Sequence, residues 1–335
     1  MRFRNAMVGA LAAGALFAGG ADADPVKLRM GYVVPGADAP LLMFGKQGIA
    51  KHEGASYTLE ATRFQGTPPM ITALAAGEID LAPLAFSTVS FAVQNAGMSD
   101  LRIIADVFQD GVEGYYTNEY MVAKDSPIKT VEDLKDKIVV SNGAGSAVDM
   151  AMRAMLKKHG LEDKRNVTFV EAGFPNMKAM LAEHKVDLIS SVRPFSADPG
   201  LRDMARTLFT QKEAIGRSEM IILTARQAFL AKNRAAVVDF LEDSLRDLHW
   251  YSDPANHDEV VKIVSDYSKI PAPVFQSWLF TKGGDFYHDP NGMPDLDALQ
   301  SNVATQRDLG FLKADLDVKS LADLSYVQEA AKKAR

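Results

Sequence analysis

Residues 66–84 read GTPPMITALAAGEIDLAPL. Thr67 can cap a helix, and Pro68 and Pro69 fall in its first turn, where a missing N–H costs nothing. Gly77 ends that helix, and Ile79 to Leu84 is a short apolar strand. Upstream, Tyr57 to Thr62 alternates as a strand, and Val26 to Val33 is another. Between these two lie a loop with Pro35, Gly36 and Pro40 and a helix beginning over Leu41 to Gly48. Downstream, Ser87 or Thr88 can cap a helix running to Asn95-Ala96-Gly97, and Leu101 to Val107 is the next strand. Short apolar strands alternating with amphipathic helices mark an α/β fold.

A second set of units starts at Tyr120 to Ala123, with a turn at Asp125-Ser126-Pro127. Thr130-Val131-Glu132-Asp133 resembles a capping box opening a helix, with Asp where Glu or Gln is usual. Ile138 to Val140 enters the small-residue loop Ser141-Asn142-Gly143-Ala144-Gly145-Ser146, which precedes a helix ending at His159-Gly160. Val167 to Glu171 is a strand, Phe174-Pro175-Asn176 starts a helix, and Val186 to Ser190 is the last clear strand. From about Ala225 the pattern is mainly helical, with candidates at 226–232, 235–251, 257–267, 272–279 and 296–309. Such a tail is most economically buried against the first sheet, so that the chain crosses between two lobes twice. The expected division is 24–117 and 220–335 in one lobe and 118–219 in the other.

The chain has 335 residues, 37 Lys and Arg against 43 Asp and Glu, and no Cys. That length suits one large domain or two moderate ones. Without Cys there is no thiol catalysis, disulfide, iron–sulfur cluster or thiolate zinc site. An acidic chain without a long basic run is not built to bind nucleic acid. Its start, MRFRNAMVGALAAGALFAGGADADPVKL, has Arg2 and Arg4, an apolar stretch over Ala6 to Gly20, and Ala21-Asp22-Ala23. This is the three-part pattern of a secretory leader over 1–23, leaving a mature chain that begins at or within two residues of Asp24.

Little here can do chemistry. None of the six His forms an HExxH pair or neighbours a Gly-x-Ser-x-Gly elbow. Asp285, His288 and Asp289 cluster in a Gly-rich stretch that reads as a polar loop, and no metal is expected. The loop at Gly143, Gly145 and Ser146 lacks the Lys-Ser/Thr ending of a phosphate loop, yet its N–H groups can face an anion or carbonyl. Gly66 with Thr67, and Ser87 with Thr88, are two more helix starts of this kind. Loops at strand carboxyl ends line the crevice of open α/β sheets. No loop pairs a nucleophile with a base, so the arrangement reads as capture without conversion. Arg193 stands after an apolar strand and before Pro194, where a guanidinium suits a carboxylate or sulfonate; the alternative is an ion pair to Asp187 or Asp198. Tyr32, Phe86, Tyr115, Tyr116 and Phe195 are either core or cover for an organic ligand.

Three stretches carry a resemblance: Met30-Gly31-Tyr32, residues 66–80 (GTPPMITALAAGEID) and residues 122–135 (VAKDSPIKTVEDLK). Together they resemble the periplasmic substrate-binding proteins of ABC importers, in the nitrate, sulfonate (taurine) and thiamine-precursor branch. The resemblance implies a bilobal fold of two mixed or mostly parallel sheets, with a hinge and a cleft that closes on one small solute. It further implies docking on an inner-membrane permease, and neither cofactor nor chemistry. In that pattern Gly66, Thr67, Ser87 and Thr88 look like contacts from the first lobe, and residues 143–146 from the second. Arg193 departs from many relatives, which carry an acidic or neutral residue there, and so does Glu183-His184-Lys185 before Val186. An organic anion, sulfonate or aromatic carboxylate, is therefore expected, in contact with Tyr32, Gly66, Thr67, Ser87, Thr88, Tyr116, Gly143, Gly145, Ser146, Arg193 and Phe195. Nitrate is the runner-up, a pyrimidine or thiamine precursor the third choice, and an exported hydrolase the alternative of another class. The expected state is a periplasmic monomer.

Overall fold

The computed structural model describes residues 24–34 and 45–334. The expected leader over 1–23, the loop with Pro35, Gly36 and Pro40, and the expected helix start at Leu41 lie outside the described residues; residues 45–49 are turn. Two mixed five-stranded sheets organise the rest, in the bilobal arrangement expected from the sequence.

The first sheet contains β1 (Val26–Tyr32), β2 (Tyr57–Arg63), β3 (Leu81–Ala85) and β4 (Leu101–Asp110). Its fifth strand, β10 (Ser218–Arg226), returns from far along the chain and lies between β3 and β4, antiparallel to both. β1 pairs in parallel with β2 along its whole length but with β3 only at Met30↔Leu81. β3 is buried throughout, as its unbroken apolar sequence requires of a strand covered on both faces. Helix α1 (Thr67–Ala75) is entered through Gly66, the true N-cap, with Thr67 already helical. Likewise α2 (Phe86–Gln94) is capped at Ala85, so neither Ser87 nor Thr88 is a cap. Thr88 Oγ1 instead donates back to Ala85 O at 2.8 Å. The helices therefore begin one residue earlier than the side-chain cap suggests for α1, and two or three residues earlier for α2.

The second sheet runs β7 (Val167–Glu171), β6 (Lys137–Ser141), β8 (Leu188–Ser191), β5 (Glu119–Ala123), β9 (Ala205–Thr210). β6 pairs in parallel with β7 and β8, whereas β5 is antiparallel to β8 and β9. Helices α3 (Ala147–Lys158) and α4 (Phe174–Ala182) follow β6 and β7, and the short α5 (Pro199–Met204) and α6 (Gln211–Ile215) flank β9. The Thr130 capping box opens only a 3-10 turn over Glu132–Leu134. Asp133 uses one oxygen for the N–H groups of both Lys129 and Thr130 (2.8 and 2.9 Å), which closes a turn and leaves no run of helix formers beyond it.

After β10 the chain is α7 (Gln227–Lys232), α8 (Arg234–Tyr251), α9 (His257–Ser268), α10 (Leu296–Asp308) and α11 (Ser325–Lys333). The expected helix at 272–279 is a 3-10 turn over Ala272–Val274 followed by further turns. This tail packs on the first sheet: α8 against β2 and α11, α10 against β10 and α2, and α11 against β4. The buried Asp243 of α8 fastens it by accepting from Lys51 N, His52 N and the Tyr57 hydroxyl. No helix among the described residues is long and apolar enough to cross a membrane.

Two adjacent segments, 111–118 and 211–217, connect the sheets. Gln211 N donates to Asn118 O at 2.8 Å, and a Cβ on Gly111 would lie 3.1 Å from Gly216 O. Asp110, fully buried where β4 ends, ties down the first segment by accepting from Thr117 Oγ1 (2.6 Å) and Asn118 N (2.8 Å). Burial pushes its carboxyl up to about 7, and the two hydrogen bonds only partly offset that. The folded state therefore holds this proton more tightly than the unfolded chain. Stability from Asp110 is fully present below the unfolded value of 3.8 and lost as pH rises through about 7. Denaturant titrations should show wild type losing more stability between pH 5 and pH 8 than Asp110→Asn does. Parallel pH profiles would show that this carboxyl titrates at an ordinary value.

Candidate functional site

A cavity of about 70 Å³ lies between the sheets, and its wall is mostly apolar. The first lobe contributes Val33 and Val34 beyond β1, Thr67 at the start of α1, Ala85 at the end of β3, Phe108, Met220, Ile221 and Phe286. The second contributes Asn142, Ser146, Ala147 and Val148 around the start of α3, with Phe174, Val192 and Arg193; Asn118 comes from the crossing. Val33 and Val34 follow β1 and Ala85 ends β3, so the cavity sits at the carboxyl ends of these strands. Val33, Val34 and Phe174 also border an outer cleft of about 420 Å³, which Arg63, Phe64, Gln65, Pro175 and Phe195 help to line. These three residues therefore stand between the cleft and the cavity.

Arg193 is the single ionisable side chain on the cavity wall among the described residues. Neither carboxylate considered for it from the sequence is its partner: Asp198 pairs with Lys178 at 2.6 Å, and Asp187 accepts Ile138 N. The guanidinium lies 3.9 Å from the Tyr116 ring centroid and 5.1 Å from that of Trp278. Nε donates to Gly284 O at 3.1 Å, across the lobes, and Nη1 to Ser196 Oγ at 3.2 Å. Burial lowers its pKa, though a guanidinium stays charged throughout the working range. No carboxylate lies within ion-pairing distance of it among the described residues. Glu119, an acid of its own lobe that acts on it electrostatically, is bound by Arg202 and by Thr207 Oγ1. Asp285 spends its oxygens on Phe280 N and Phe286 N, and burial raises its pKa. A half-buried cation with no carboxylate in direct contact favours an anionic visitor.

Of the expected contacts, Thr67, Ser146 and Arg193 stand together on this wall. Gly66 is just behind it, facing Asn142 of the other lobe: a Cβ there would meet Asn142 Nδ2 at 3.2 Å. Phe195 borders the outer cleft and stacks behind Phe174 at 6.0 Å. Tyr116 lies beneath Arg193, its hydroxyl 2.7 Å from Ser196 Oγ. Tyr32, Ser87, Thr88, Gly143 and Gly145 are off the cavity wall. The Gly143 loop does not hold its N–H groups open as its composition suggests. Ala144 N donates to Glu171 Oε1, and Gly145 N to the buried Asp149 Oδ2 at 2.9 Å. An acid in the first turn of α3 competes for the donors, leaving the Ala147 and Val148 end of the helix at the cavity.

Sequence reasoning did not single out Asn118, Asn142, Phe108, Phe174 or Phe286. Asn142 stands in the quoted loop and was legible as a polar residue beside a strand end. Phe286 was not, because it reaches the cavity from the helical tail. Asp285 serves its own loop, and His288 fastens that loop to β4, its Nδ1 meeting Val107 O at 2.8 Å. The one His and carboxylate grouping with metal-ligand spacing among the described residues is His52, Asp239 and Glu242, away from the cavity.

No curated protein matches the chain in sequence. Solved structures match its fold over nearly all its length. The alkanesulfonate-binding protein SsuA of Xanthomonas axonopodis pv. citri, bound to MOPS, aligns with TM-score 0.70 at 19% identity, covering 90% of this chain and 99% of that one. The periplasmic nitrate-binding protein NrtA of Synechocystis PCC 6803 gives 0.70 at 16% identity, covering 92% and 89%. The desulfurization enzyme DSZB gives 0.65 at 14% identity, covering 92% and 100%. At these identities the likeness is one of fold: the bilobal architecture of periplasmic binding proteins. In sequence, the profile of the NMT1-like family matches residues 21–265, most of the chain, and the protein belongs to that family.

Proposed function

We propose that this protein is the solute-binding component of an ABC importer, capturing a small organic anion and releasing it unchanged to an inner-membrane permease. The observation that carries the reading is Arg193, a guanidinium without a direct carboxylate partner on an otherwise uncharged, mostly apolar wall between two lobes. A sulfonate or aromatic carboxylate fits it: the charge meets Arg193, and Phe108, Phe174 and Phe286 cover the body. The lobes are 24–117 with 220–335, and 118–219, hinged at the paired crossings. They close because the ligand touches both and so stabilises only the closed form. Residues 1–23 are the leader that takes the chain to the periplasm, where it works as a monomer.

Folds of this kind serve both an alkanesulfonate-binding and a nitrate-binding protein, which supports an anion. The tightness of the cavity, about 70 Å³, keeps a bare oxyanion such as nitrate as the second reading. A cationic pyrimidine would need a carboxylate where Arg193 stands. The same fold also serves a desulfurization enzyme, of which a cysteine-to-serine variant was solved with biphenyl-2-sulfinic acid. This chain has no Cys, and its cavity wall pairs no nucleophile with a base among the described residues.

Calorimetric titration of the mature protein with sulfonates, aromatic carboxylates, nitrate and pyrimidines tests the reading. An organic anion should bind one to one and be recovered intact after denaturing the complex. Conversion of the ligand on standing, or binding of cations alone, would refute it.

A further inference from the structure

Two carboxamides on the cavity wall have a carbonyl with nothing to accept. Asn118 and Asn142 are 1% and 6% exposed, and neither Oδ1 has a hydrogen-bond partner. Buried polar atoms are seldom left in this state, because desolvation is not repaid. Asn118 is held at both ends of its backbone, its N–H donating to Asp110 Oδ2 and its C=O accepting from Gln211 N. Its Nδ2 donates to Gln211 Oε1 at 3.3 Å, while Gln211 Nε2 faces Ser218 Oγ and Met220 Sδ. That chain fixes which end of the Asn118 carboxamide is which, so the spare group is an acceptor. Asn142 turns its Nδ2 toward Gly66, where the missing side chain leaves it room. Its carbonyl, too, is the buried unsatisfied end.

An acceptor does nothing for an anion's charged group. Resting on the reading that this cavity takes an organic anion, we infer that the ligand also carries N–H or O–H donors, received by Asn118 and Asn142. The substrate class is then a hydroxylated or amino-bearing organic anion rather than a plain alkyl or aryl one. The charge is read by Arg193 and the donor by the asparagines. Sites built around a buried polar group discriminate strongly against a ligand that leaves the group unpaired.

Matched pairs test this in the intact mature protein: ethanesulfonate against 2-hydroxyethanesulfonate, and benzoate and benzenesulfonate against each of their monohydroxy isomers. At least one donor-bearing compound should bind about ten-fold or more tightly than its parent. Asn118→Leu or Asn142→Leu should bring that pair to parity, mainly by weakening the hydroxylated member. Should Asn118→Leu fail to fold, the wild-type preference and Asn142→Leu still decide. Equal affinities throughout, or a preference that survives both substitutions, overturn the inference while leaving the anion reading intact. If no member of any pair binds, the anion reading falls and this inference with it.

Discussion

Arg193→Ala should weaken binding of the organic anion by about 2–5 kcal/mol, the range for truncating one partner of a buried charged pair. The structure divides that loss into two parts. One is the charge itself, which no carboxylate neutralises within ion-pairing distance among the described residues. The other is the bond from Nε to Gly284 O, which joins the second lobe to the tail of the first and favours closure even without ligand. Arg193→Lys keeps the charge but cannot offer Nε and a fork together, so it should recover only part of the affinity. Titration of both variants separates the terms. If closure dominates, Lys and Ala are equally weak for every ligand; if charge dominates, Lys recovers anions selectively. A tight anion that binds the Ala variant as well as wild type would show that the guanidinium only props Tyr116 and Ser196.

Local elements were legible wherever one segment carried its own signal. β7 stands at the expected Val167 to Glu171, and the glycine and proline punctuation located α1, β3 and α4 to within a few residues. β9 and β10 went unread because nothing in ARTLFT or SEMIILTAR marks a strand that returns to a sheet built earlier in the chain. β10 is nonetheless buried along almost its whole length between β3 and β4. Arg193 could be singled out by its position after a strand and before Pro194. What it touches could not: Gly284 lies 91 residues away, and Trp278 and Phe286 belong to the tail. The Gly143 loop misled for a related reason. Its glycines announce flexible donors, but Asp149 in the following helix takes up Gly145 N, and only three-dimensional placement shows that competition.

That placement gives Gly145 a role other than the expected ligand contact. Its φ is +80°, a region that costs an L-residue about 1–2 kcal/mol, and a Cβ there would lie 2.8 Å from Phe91 Cε2 on α2 of the opposite lobe. The backbone strain belongs to the loop itself, whatever the lobes do. The clash exists only when the lobes meet, and overpacking of that kind costs typically about 1–3 kcal/mol. Gly145→Ala should therefore lower the unfolding midpoint and, separately, weaken ligand binding by about ten-fold or more, since binding requires the closed form. The two effects part company in a double variant. Adding Phe91→Ala removes the ring, so affinity should return toward that of Phe91→Ala alone, while the loss of stability from the positive φ persists. A Gly145→Ala protein that binds like wild type would mean that α2 and the Gly143 loop separate in the liganded state. Closure would then have to be driven elsewhere, through Arg193 and the Gly66–Asn142 contact.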